Sequence, residues 1–448
     1  MLFSNRITIE QILVMGVLFG LLFPLTIILP LFRLAVWNIP GLILLLWIVL
    51  RGANRQMFRL NNFDLWEYSI LGVILIYFIM TLVGKDFISN LSHLNHYISC
   101  LALSFYFRRN YGKIFTTKHF IIFAFISVGL ESIIGLIQQI TSSEFGNIGV
   151  YFGKTPETTE LRAIGDSSMG RVIGTFGTGN LVGNWIIIFL PFILYSSEYF
   201  QNKYSWVSRI IIVIMSLIAI IMTISRFNIA MYLGIIIFTI FLYIKKNLKR
   251  KIKLKISLIS ALILFVMLTF SVGSLVIIWE EVGMMKKAVE FRFSDTFEAA
   301  SQTGNHTHGI NARMEMNKGA LQAFIRSPLI GVGYKNSRWI WPTVDADVPS
   351  NWIYQPHNIY MVMLVEGGIF LFIFYVIYTF YPFYKMWLLK KSNEPILIAF
   401  FLSLSACIGI QMMYITFTSP IFAGVYTMIL GSAMGYFDQE LIQLKGKS

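Results

Sequence analysis

The chain has little charge and almost no cysteine. Only 13% of its 448 residues are charged and 56% are hydrophobic, whereas a typical soluble protein carries about 25% charge. Its two cysteines, Cys100 and Cys407, both lie in apolar segments far apart in the chain. No disulfide framework and no cysteine metal site follow from them. The shortage of charge indicates that most of this chain lies in lipid.

Long apolar runs are the main feature that is present. Runs of roughly 18–25 residues recur, a length that crosses the hydrocarbon core of a bilayer as a helix. The many aromatic residues fit anchors at the two membrane interfaces. We therefore predict an all-α polytopic membrane protein with about twelve transmembrane helices. The predicted spans are Gln11–Leu31, Leu34–Leu50, Leu65–Val83, Tyr97–Phe107, Phe120–Ile140, Leu181–Ser196, Val207–Ile224, Phe227–Ile244, Ile256–Trp279, Asn358–Tyr381, Pro395–Ile415 and Pro420–Phe437.

Basic residues set the predicted orientation. The formal net charge of +14 is explained by lysines and arginines beside membrane helices, so we expect no nucleic-acid partner. The basic loops all follow even-numbered spans, as in the run from Lys245 to Lys255. The positive-inside rule then makes those loops and both termini cytoplasmic. The first apolar run has no small-residue cleavage site, so we expect a retained helix rather than a signal peptide.

Two long loops fall on the opposite, external side. This gives a predicted division into residues 1–279 with nine spans and an external loop at 141–180, residues 280–357 as a large external loop, and residues 358–448 with three spans and a cytoplasmic tail. Inside the large loop, Ala312–Ile325 shows helical spacing of apolar residues. We expect an amphipathic helix there, along the outer membrane surface. The apolar positions are Met316, Ala320, Leu321 and Phe324.

Arg226 lies at the predicted tip of a helix hairpin, because the apolar run from Val207 to Ile244 is too long for one helix. An interface arginine that reaches toward the lipid head groups is the common interpretation of such a position. Its place in a tight turn, between Ser225 and Asn228, favours a functional role.

Arg171 opens the glycine-rich sequence GRVIGTFGTGNLVGN, which includes Asn180 and leads into the sixth span. Glycines let backbone N–H groups approach an anion at a helix N-terminus. The sequence is neither a Walker A loop nor a dinucleotide fingerprint, since Val182 stands where the third glycine belongs. Close helix packing explains the glycines equally well.

Two further arginines lie in the large external loop. Arg313 falls in the first turn of the amphipathic helix, where a cation has the unfavourable sign against the helix dipole. That position suggests an anion that compensates it. Arg338 has an ordinary interpretation at the rim of a site and is only an accessory candidate.

His357 precedes Asn358 at the start of the tenth span. The positive end of the helix dipole lowers the pKa of an imidazole there and favours its neutral form. A neutral histidine can accept a proton, as a general base must. Glu366 lies nine residues on, half a turn out of phase and about 13 Å along the helix. It therefore cannot pair with His357, and we expect a partner on a neighbouring helix.

Metal binding is not expected. Asp345-Ala346-Asp347 is a pattern that can hold a divalent ion, and His306-Thr307-His308 is a weaker candidate. Two acids two residues apart are common in polar loops. The external face otherwise offers fixed cations and one candidate base, which suits a phosphate or pyrophosphate leaving group and an acceptor hydroxyl.

Four segments together resemble the O-antigen ligase/polymerase family of bacterial membrane glycosyltransferases. They are the glycine-rich sequence, ISRFN at the hairpin tip, NARMEMNKGALQAFIRSPLIGVGY, and PHNIYMVMLVEGGIF. The hairpin of that family usually reads Ser-Arg-Gly, whereas Phe227 follows Arg226 here. The resemblance covers roughly residues 170–372.

The resemblance implies a glycosyltransferase-C-like scaffold in the bacterial cytoplasmic membrane, with its active site on the external face. The expected reaction is inverting and needs neither metal nor cofactor. Its substrates would be an undecaprenyl-pyrophosphate-linked oligosaccharide and an acceptor glycan. Carried over, Arg171, Arg226 and Arg313 bind the pyrophosphate and His357 activates the acceptor hydroxyl. Asn180, Asn358, Arg338 and Glu366 are accessory candidates.

Two branches of the family and one other class stay open. A polymerase extends a lipid-linked repeat unit and could use a chain-length regulator protein as a partner, whereas a ligase transfers the glycan to lipid A–core. We favour the polymerase. A transporter or flippase of lipid-linked glycans is the alternative of another class, although such proteins concentrate ionisable residues and broken helices near the membrane midplane.

Overall fold

The computed structural model is helical over nearly all of the chain that it describes. It describes residues 8–22, 26–28, 33–35, 39–44, 46, 63–83, 87–141, 172, 174–176, 179–200, 205–223, 225–248, 310–333, 356, 358–390, 392, 394–413 and 420–446. The chain forms two compact units. Unit 1 comprises residues 1–116, 295–389 and 407–448, and unit 2 comprises residues 117–294 and 390–406.

The N-terminal segment differs from the prediction. Helix α1 covers Ile9–Leu22, and a short antiparallel hairpin follows, made of β1 (Thr26–Ile28) and β2 (Arg33–Ala35). The predicted first span to Leu31 is therefore too long, and the predicted start of the second span lies in a strand. Pro24 has no backbone N–H and disfavours helix in the residue before it, so the helix ends ahead of it.

Five long helices belong to unit 1. They are α2 (Leu65–Val83), α3 (Phe87–Asn110), α8 (Ile310–Arg326), α9 (Ile359–Leu388) and α11 (Pro420–Gly446). Helix α3 corrects the predicted fourth span, Tyr97–Phe107, because it has 24 residues and extends beyond both predicted ends. Its first half carries Ser, Asn and His residues, which hid the helix from a search for apolar runs.

Unit 2 contains α4 (Thr117–Thr141), a 3₁₀ turn (Gly174–Phe176), α5 (Gly179–Leu194), a second 3₁₀ turn (Ser196–Glu198), α6 (Ser205–Met222) and α7 (Arg226–Leu248). Helix α10 (Pro395–Met413) lies in unit 2 up to Ala406. The break between α6 and α7 comes slightly before the predicted tip, Ser225 to Asn228, because α6 ends at Met222 and α7 begins at Arg226. Arg226, which was predicted at the tip, is therefore the first residue of α7.

Glycines let α3 and α11 approach each other closely in unit 1. Gly431 and Gly435 are four residues apart and therefore lie on one face of α11. A Cβ on Gly431 would lie 2.8 Å from the Ser104 carbonyl carbon, and a Cβ on Gly435 would lie 2.7 Å from the Arg108 carbonyl oxygen. Small residues at this spacing are typical of helix pairs packed inside membranes.

Four of the described helices are long and apolar enough to cross a membrane. These segments are Leu65–Leu82, Thr117–Thr141, Ile359–Leu388 and Pro395–Met412. Shorter apolar helices accompany them, and the chain is a helical integral membrane protein. The count of twelve spans and the three-part division stay predictions. The predicted ninth span, Ile256–Trp279, and most of both long loops lie outside the described residues.

Candidate functional site

The predicted site residues fall into three groups. Asn180, Asn358 and Glu366 are described with their side chains, whereas Arg226 and Arg313 are described only as helical positions. Arg171, Arg338 and His357 lie outside the described residues, as do the two weak metal patterns. Asn180 and Arg226 belong to unit 2, and Arg313, Asn358 and Glu366 belong to unit 1.

In unit 2, two polar side chains of α4 hold the 3₁₀ turn of the glycine-rich sequence. The Gln138 amide nitrogen donates to the Gly174 carbonyl at 2.9 Å, and its oxygen accepts from the Gly174 N–H at 2.8 Å. Glu131 lies two helical turns before Gln138 on α4. Its carboxylate accepts from the Thr175 N–H at 3.1 Å and from the Thr175 hydroxyl. Gly174 has a φ of 55°, a conformation that glycine adopts at little cost.

The same sequence also contacts the hairpin that leads to Arg226. The Val172 N–H donates to the Met222 carbonyl at 3.1 Å, at the last residue of α6. On the other side, the Asn228 amide donates to the Asn180 carbonyl at 3.0 Å, across the first turns of α7 and α5. The turn before α5, the end of α6 and the start of α7 therefore meet at one end of unit 2.

Close packing accounts for part of this glycine-rich sequence. A Cβ on Gly183 would lie 2.6 Å from the Asn228 side-chain carbon, so only glycine fits there without a shift. Asn180 takes part through its backbone carbonyl in this contact. The alternative interpretation of the sequence analysis, glycines for helix packing, is thus correct at Gly183.

Buried polar atoms without hydrogen bonds in the described structure lie beside these contacts. They are the Ser225 hydroxyl, the Asn228 amide oxygen and both polar atoms of the Asn184 amide. Ser225 directly precedes α7 and would be expected to cap it, since serine oxygen is a preferred N-cap acceptor. The first N–H groups of α7, around Arg226, are therefore not capped by this hydroxyl.

In unit 1, the sequence PLIGVG docks against a break in α9. The Val332 N–H donates to the Val365 carbonyl and the Gly333 N–H to the Glu366 carbonyl, both at 2.9 Å, and the Ile369 N–H donates to the Pro328 carbonyl at 2.8 Å. Helix α9 is non-helical at Gly368, with a φ of 69°. We call these paired segments, residues 328–333 and 365–369, the glycine clasp.

The clasp attaches the amphipathic helix α8 to α9. Met316, Ala320 and Ala323 pack with Val365 and, at its edge, Met361. Leu321, one of the apolar positions that indicated this helix, is 48% exposed and does not belong to the buried cluster. Ala323, three residues after Ala320, takes its place on the same face.

The direction of α8 follows from these contacts. Its C-terminal end meets α9 at Glu366–Ile369, and its buried face contacts Met361 and Val365, on the N-terminal side of the clasp. Helix α8 therefore runs alongside the first part of α9 and in the same direction. Measured along the helix axes, position 313 lies about 20 Å before the end of α8, and Asn358 lies about 15 Å before Gly368. The first turns of both helices thus lie on the same side of the clasp.

Asn358 has a structural role. It is the N-cap of α9, and its side-chain oxygen accepts from the Tyr360 N–H at 3.0 Å and the Met361 N–H at 3.4 Å. Capping of α9 is sufficient to explain an asparagine at this position, without any contact to substrate. His357 directly precedes that cap in the sequence. Glu366 is buried, and its carbonyl accepts from Gly333 across the clasp.

The sequence analysis missed a polar cluster at the other end of α9. Arg108 donates to both carboxylate oxygens of Asp64, at 2.8 and 2.6 Å, and to Asp438 at 2.8 Å. Lys385, near the end of α9, also donates to Asp438, at 3.0 Å. Burial raises the pKa of Asp64, but the hydrogen bond and charge of Arg108 outweigh burial and hold it below its usual value. We call these four residues the ion-pair cluster.

Glu131 was also missed, although its sequence signal was visible. It is the only acid in the predicted fifth span, Phe120–Ile140, and a lone intramembrane acid indicates a functional or structural partner. Among the residues that the structure describes, no group of three metal-ligating side chains occurs.

Comparison with known proteins gives one family match. Residues 211–376 match the family model described as O-antigen ligase, a segment that includes Arg226, Arg313, Arg338, His357 and Glu366 but not Arg171 or Asn180. A search of curated proteins finds no match. The matched segment contains the hairpin tip, the clasp and the start of α9, which are features that carry the resemblance. The match supports the resemblance of this segment to the O-antigen ligase/polymerase family.

Proposed function

We propose that this protein transfers a glycan from undecaprenyl pyrophosphate to an acceptor hydroxyl, most simply as a polymerase of surface-polysaccharide repeat units. The family match supports a ligase- or polymerase-type activity. The specific donor, the acceptor and the absence of a metal requirement are parts of the proposal. The proposal also places the protein in the bacterial cytoplasmic membrane, with cytoplasmic termini and an external active site.

The observation that carries the proposal is the meeting of three backbone segments in unit 2. The glycine-rich turn bonds to the end of α6, and the first turn of α5 bonds to the first turn of α7. Arg171 is next to Val172 in the chain, and Arg226 begins α7. Helix N-termini and arginines both favour a phosphate. This arrangement supports a pyrophosphate subsite formed with Arg171 and Arg226.

The proposed base and the proposed third cation are residues of unit 1. His357 precedes the N-cap of α9, and Arg313 falls in the first turn of α8. A neutral imidazole near a helix N-terminus can accept the proton of the acceptor hydroxyl as it attacks the anomeric carbon. The arginines would stabilise the charge that develops on the departing pyrophosphate. Inversion at the anomeric carbon follows from a single displacement.

A transporter remains the alternative of another class, because α9 is broken at Gly368. In transporters, broken helices free backbone groups that bind ions or substrate near the midplane. Here the carbonyls of Val365 and Glu366 and the N–H of Ile369 are hydrogen-bonded to the segment 328–333. Their use in the clasp favours the enzyme.

The test uses purified protein and a polyprenyl-pyrophosphate-linked oligosaccharide, with products separated by size. A ladder of longer lipid-linked glycans in the absence of another acceptor supports the polymerase. Transfer that requires lipid A–core would identify a ligase instead. Neither product from well-folded protein, together with movement of the lipid-linked glycan across vesicle membranes, would favour the transporter and contradict the proposal.

A further inference from the structure

Glu131 is a carboxylate inside an apolar candidate membrane span. It is 1% exposed, and no ion-pair partner is found for it among the described residues. Its hydrogen bonds go to one residue, Thr175, through the backbone N–H at 3.1 Å and through the hydroxyl. A buried acid in a membrane helix is costly and marks a position with a specific task.

The partner of Glu131 is the turn of the glycine-rich sequence, not another long helix. Gln138, seven residues later and on the same face of α4, bonds to Gly174 in both directions. A Cβ on Gly174 would overlap the Glu131 carboxylate, so the backbone of the turn lies directly against it. Glu131 and Gln138 together fix residues 174–175, and we call them the α4 clip.

The clipped turn is connected on both sides to the segments that would bind phosphate. On one side, Val172 bonds to the end of α6, four residues before Arg226. On the other side, the Phe176 ring lies 5.0 Å from the Trp185 ring of α5. The turn is therefore in contact with α4 through the clip and with α5 through Phe176, and Val172 beside it is bonded to the end of α6.

We propose that Glu131 is a positioning residue for the donor pyrophosphate. It acts through Thr175 and the turn, which hold the first turn of α5 in position to bind the same phosphate as the first turn of α7. It neither contacts the substrate nor transfers a proton. This inference rests on the proposed function, because it assigns a role within the same donor subsite.

The proposal predicts different results for two substitutions at one position. Glu131→Ala removes the acceptor and leaves two buried donors of Thr175 unpaired. We expect the donor KM, and the Kd for undecaprenyl pyrophosphate, to rise about 10–100-fold, the range that follows from the loss of one charge-assisted hydrogen bond to the phosphate. Glu131→Gln keeps the shape, can accept from the Thr175 N–H and can donate to its hydroxyl. We expect its donor KM to stay within about threefold of the wild type.

The acceptor KM distinguishes a positioning role of Glu131 from a general loss of structure in the variants. It should be unchanged in both Glu131 variants, because the acceptor is not held by this turn. Ser132→Ala is the matched control, since it removes a neighbouring buried hydroxyl that has no hydrogen bond in the described structure. If Glu131→Ala does not fold, Thr175→Val and Thr175→Ser make the same comparison at Thr175, the residue that donates the hydrogen bonds to Glu131. Valine should raise the donor KM, and serine should preserve it.

Three results would overturn the inference. A Glu131→Gln variant as impaired as Glu131→Ala would require the carboxylate itself, for example in proton transfer. An unchanged donor KM in Glu131→Ala, or equal rises in donor and acceptor KM, would remove the positioning role. Failure of the proposed function is seen separately, as a wild-type protein that neither binds undecaprenyl pyrophosphate nor turns over the lipid-linked donor.

Discussion

Gly331 lies against the backbone of residues 366–367, Gly368 lies against the backbone of residues 329 and 331, and both glycines have positive φ, 68° and 69°. A Cβ on Gly331 would lie 2.6 Å from the Gly367 nitrogen, and a Cβ on Gly368 would lie 2.7 Å from the Gly331 nitrogen. Each glycine therefore makes room for the other's segment, and neither position suits a side chain. The two glycine-containing sequences that carry the family resemblance thus form one structural contact.

Alanine at either glycine of the clasp should separate α8 from α9. We expect Gly331→Ala or Gly368→Ala to lower the free energy of unfolding by about 1–3 kcal/mol and to reduce transfer, because position 313 then shifts relative to His357. Thermal unfolding in detergent and the transfer assay measure both effects. Gly129→Ala is the control, since a Cβ there meets nothing within 4 Å. Equal behaviour of the three variants would contradict a role for the clasp.

The sequence pattern predicted the helix boundaries that a proline or the length of an apolar run determines. The starts of α10 and α11 agree with the predicted Pro395 and Pro420. A break divides the long apolar run before α7, as predicted, because such a run must turn to stay in the membrane, although the break ends at Arg226 and is not centred on it. Pro24 favours an early end of α1. The prediction instead followed the apolar residues on both sides of Pro24 and placed the end of the span at Leu31.

The clasp and the α4 clip could not be predicted, because they depend on residues far apart in the sequence. The glycines were visible at 174, 331 and 368, but the sequence does not say which backbone approaches each one. Leu321 and Ala323 are both compatible with helical spacing, and only contact with α9 determines which is buried. The role of Asn358 as an N-cap was accessible from sequence, since asparagine before a helix is a preferred cap.

The ion-pair cluster should make stability depend on Asp64. The pKa of Asp64 is lowered in the folded protein, so its contribution is present above the unfolded value of about 3.9 and is lost as the pH falls through the folded value. Asp64→Asn should therefore cost about 1–3 kcal/mol at pH 7. The difference from the wild type should shrink below about pH 4.

Thermal unfolding in detergent at several pH values tests the contribution of Asp64. Glu394→Gln serves as the control, because Glu394 is exposed and its side chain forms no hydrogen bond or ion pair in the described structure. A deficit of Asp64→Asn that persists unchanged at acidic pH would show that its ionised carboxylate is not the stabilising group.

His357→Ala tests the proposed base. We expect kcat to fall by about 10²–10⁴-fold, the usual contribution of a general base, while protein level and thermal stability are unchanged. Donor binding should also persist, since the imidazole is assigned to the acceptor. His306→Ala, in the same long loop, is the control and should transfer normally. Near-normal transfer by His357→Ala would remove the assignment.

Chelation tests the expected independence from metal. We expect transfer to continue at the same rate in EDTA, because arginines supply the charge that a divalent ion would otherwise provide. The measurement compares initial rates before and after chelation and again after Mg²⁺ or Mn²⁺ is added. Loss of activity that is restored by either ion would point to Asp345 and Asp347 as ligands. Alanine at both aspartates should then reproduce the loss.

Arg226→Lys tests whether the hairpin arginine binds pyrophosphate or only anchors α7 at an interface. Lysine keeps the charge but cannot present the planar pair of N–H donors that binds two phosphate oxygens. Loss of one charge-assisted hydrogen bond costs about 1.5–3 kcal/mol. The donor KM should therefore rise at least about tenfold. Arg326→Lys, at an exposed position near the end of α8, is the matched control. Full activity of Arg226→Lys would make the residue an interface anchor, because an anchor needs only a long basic side chain.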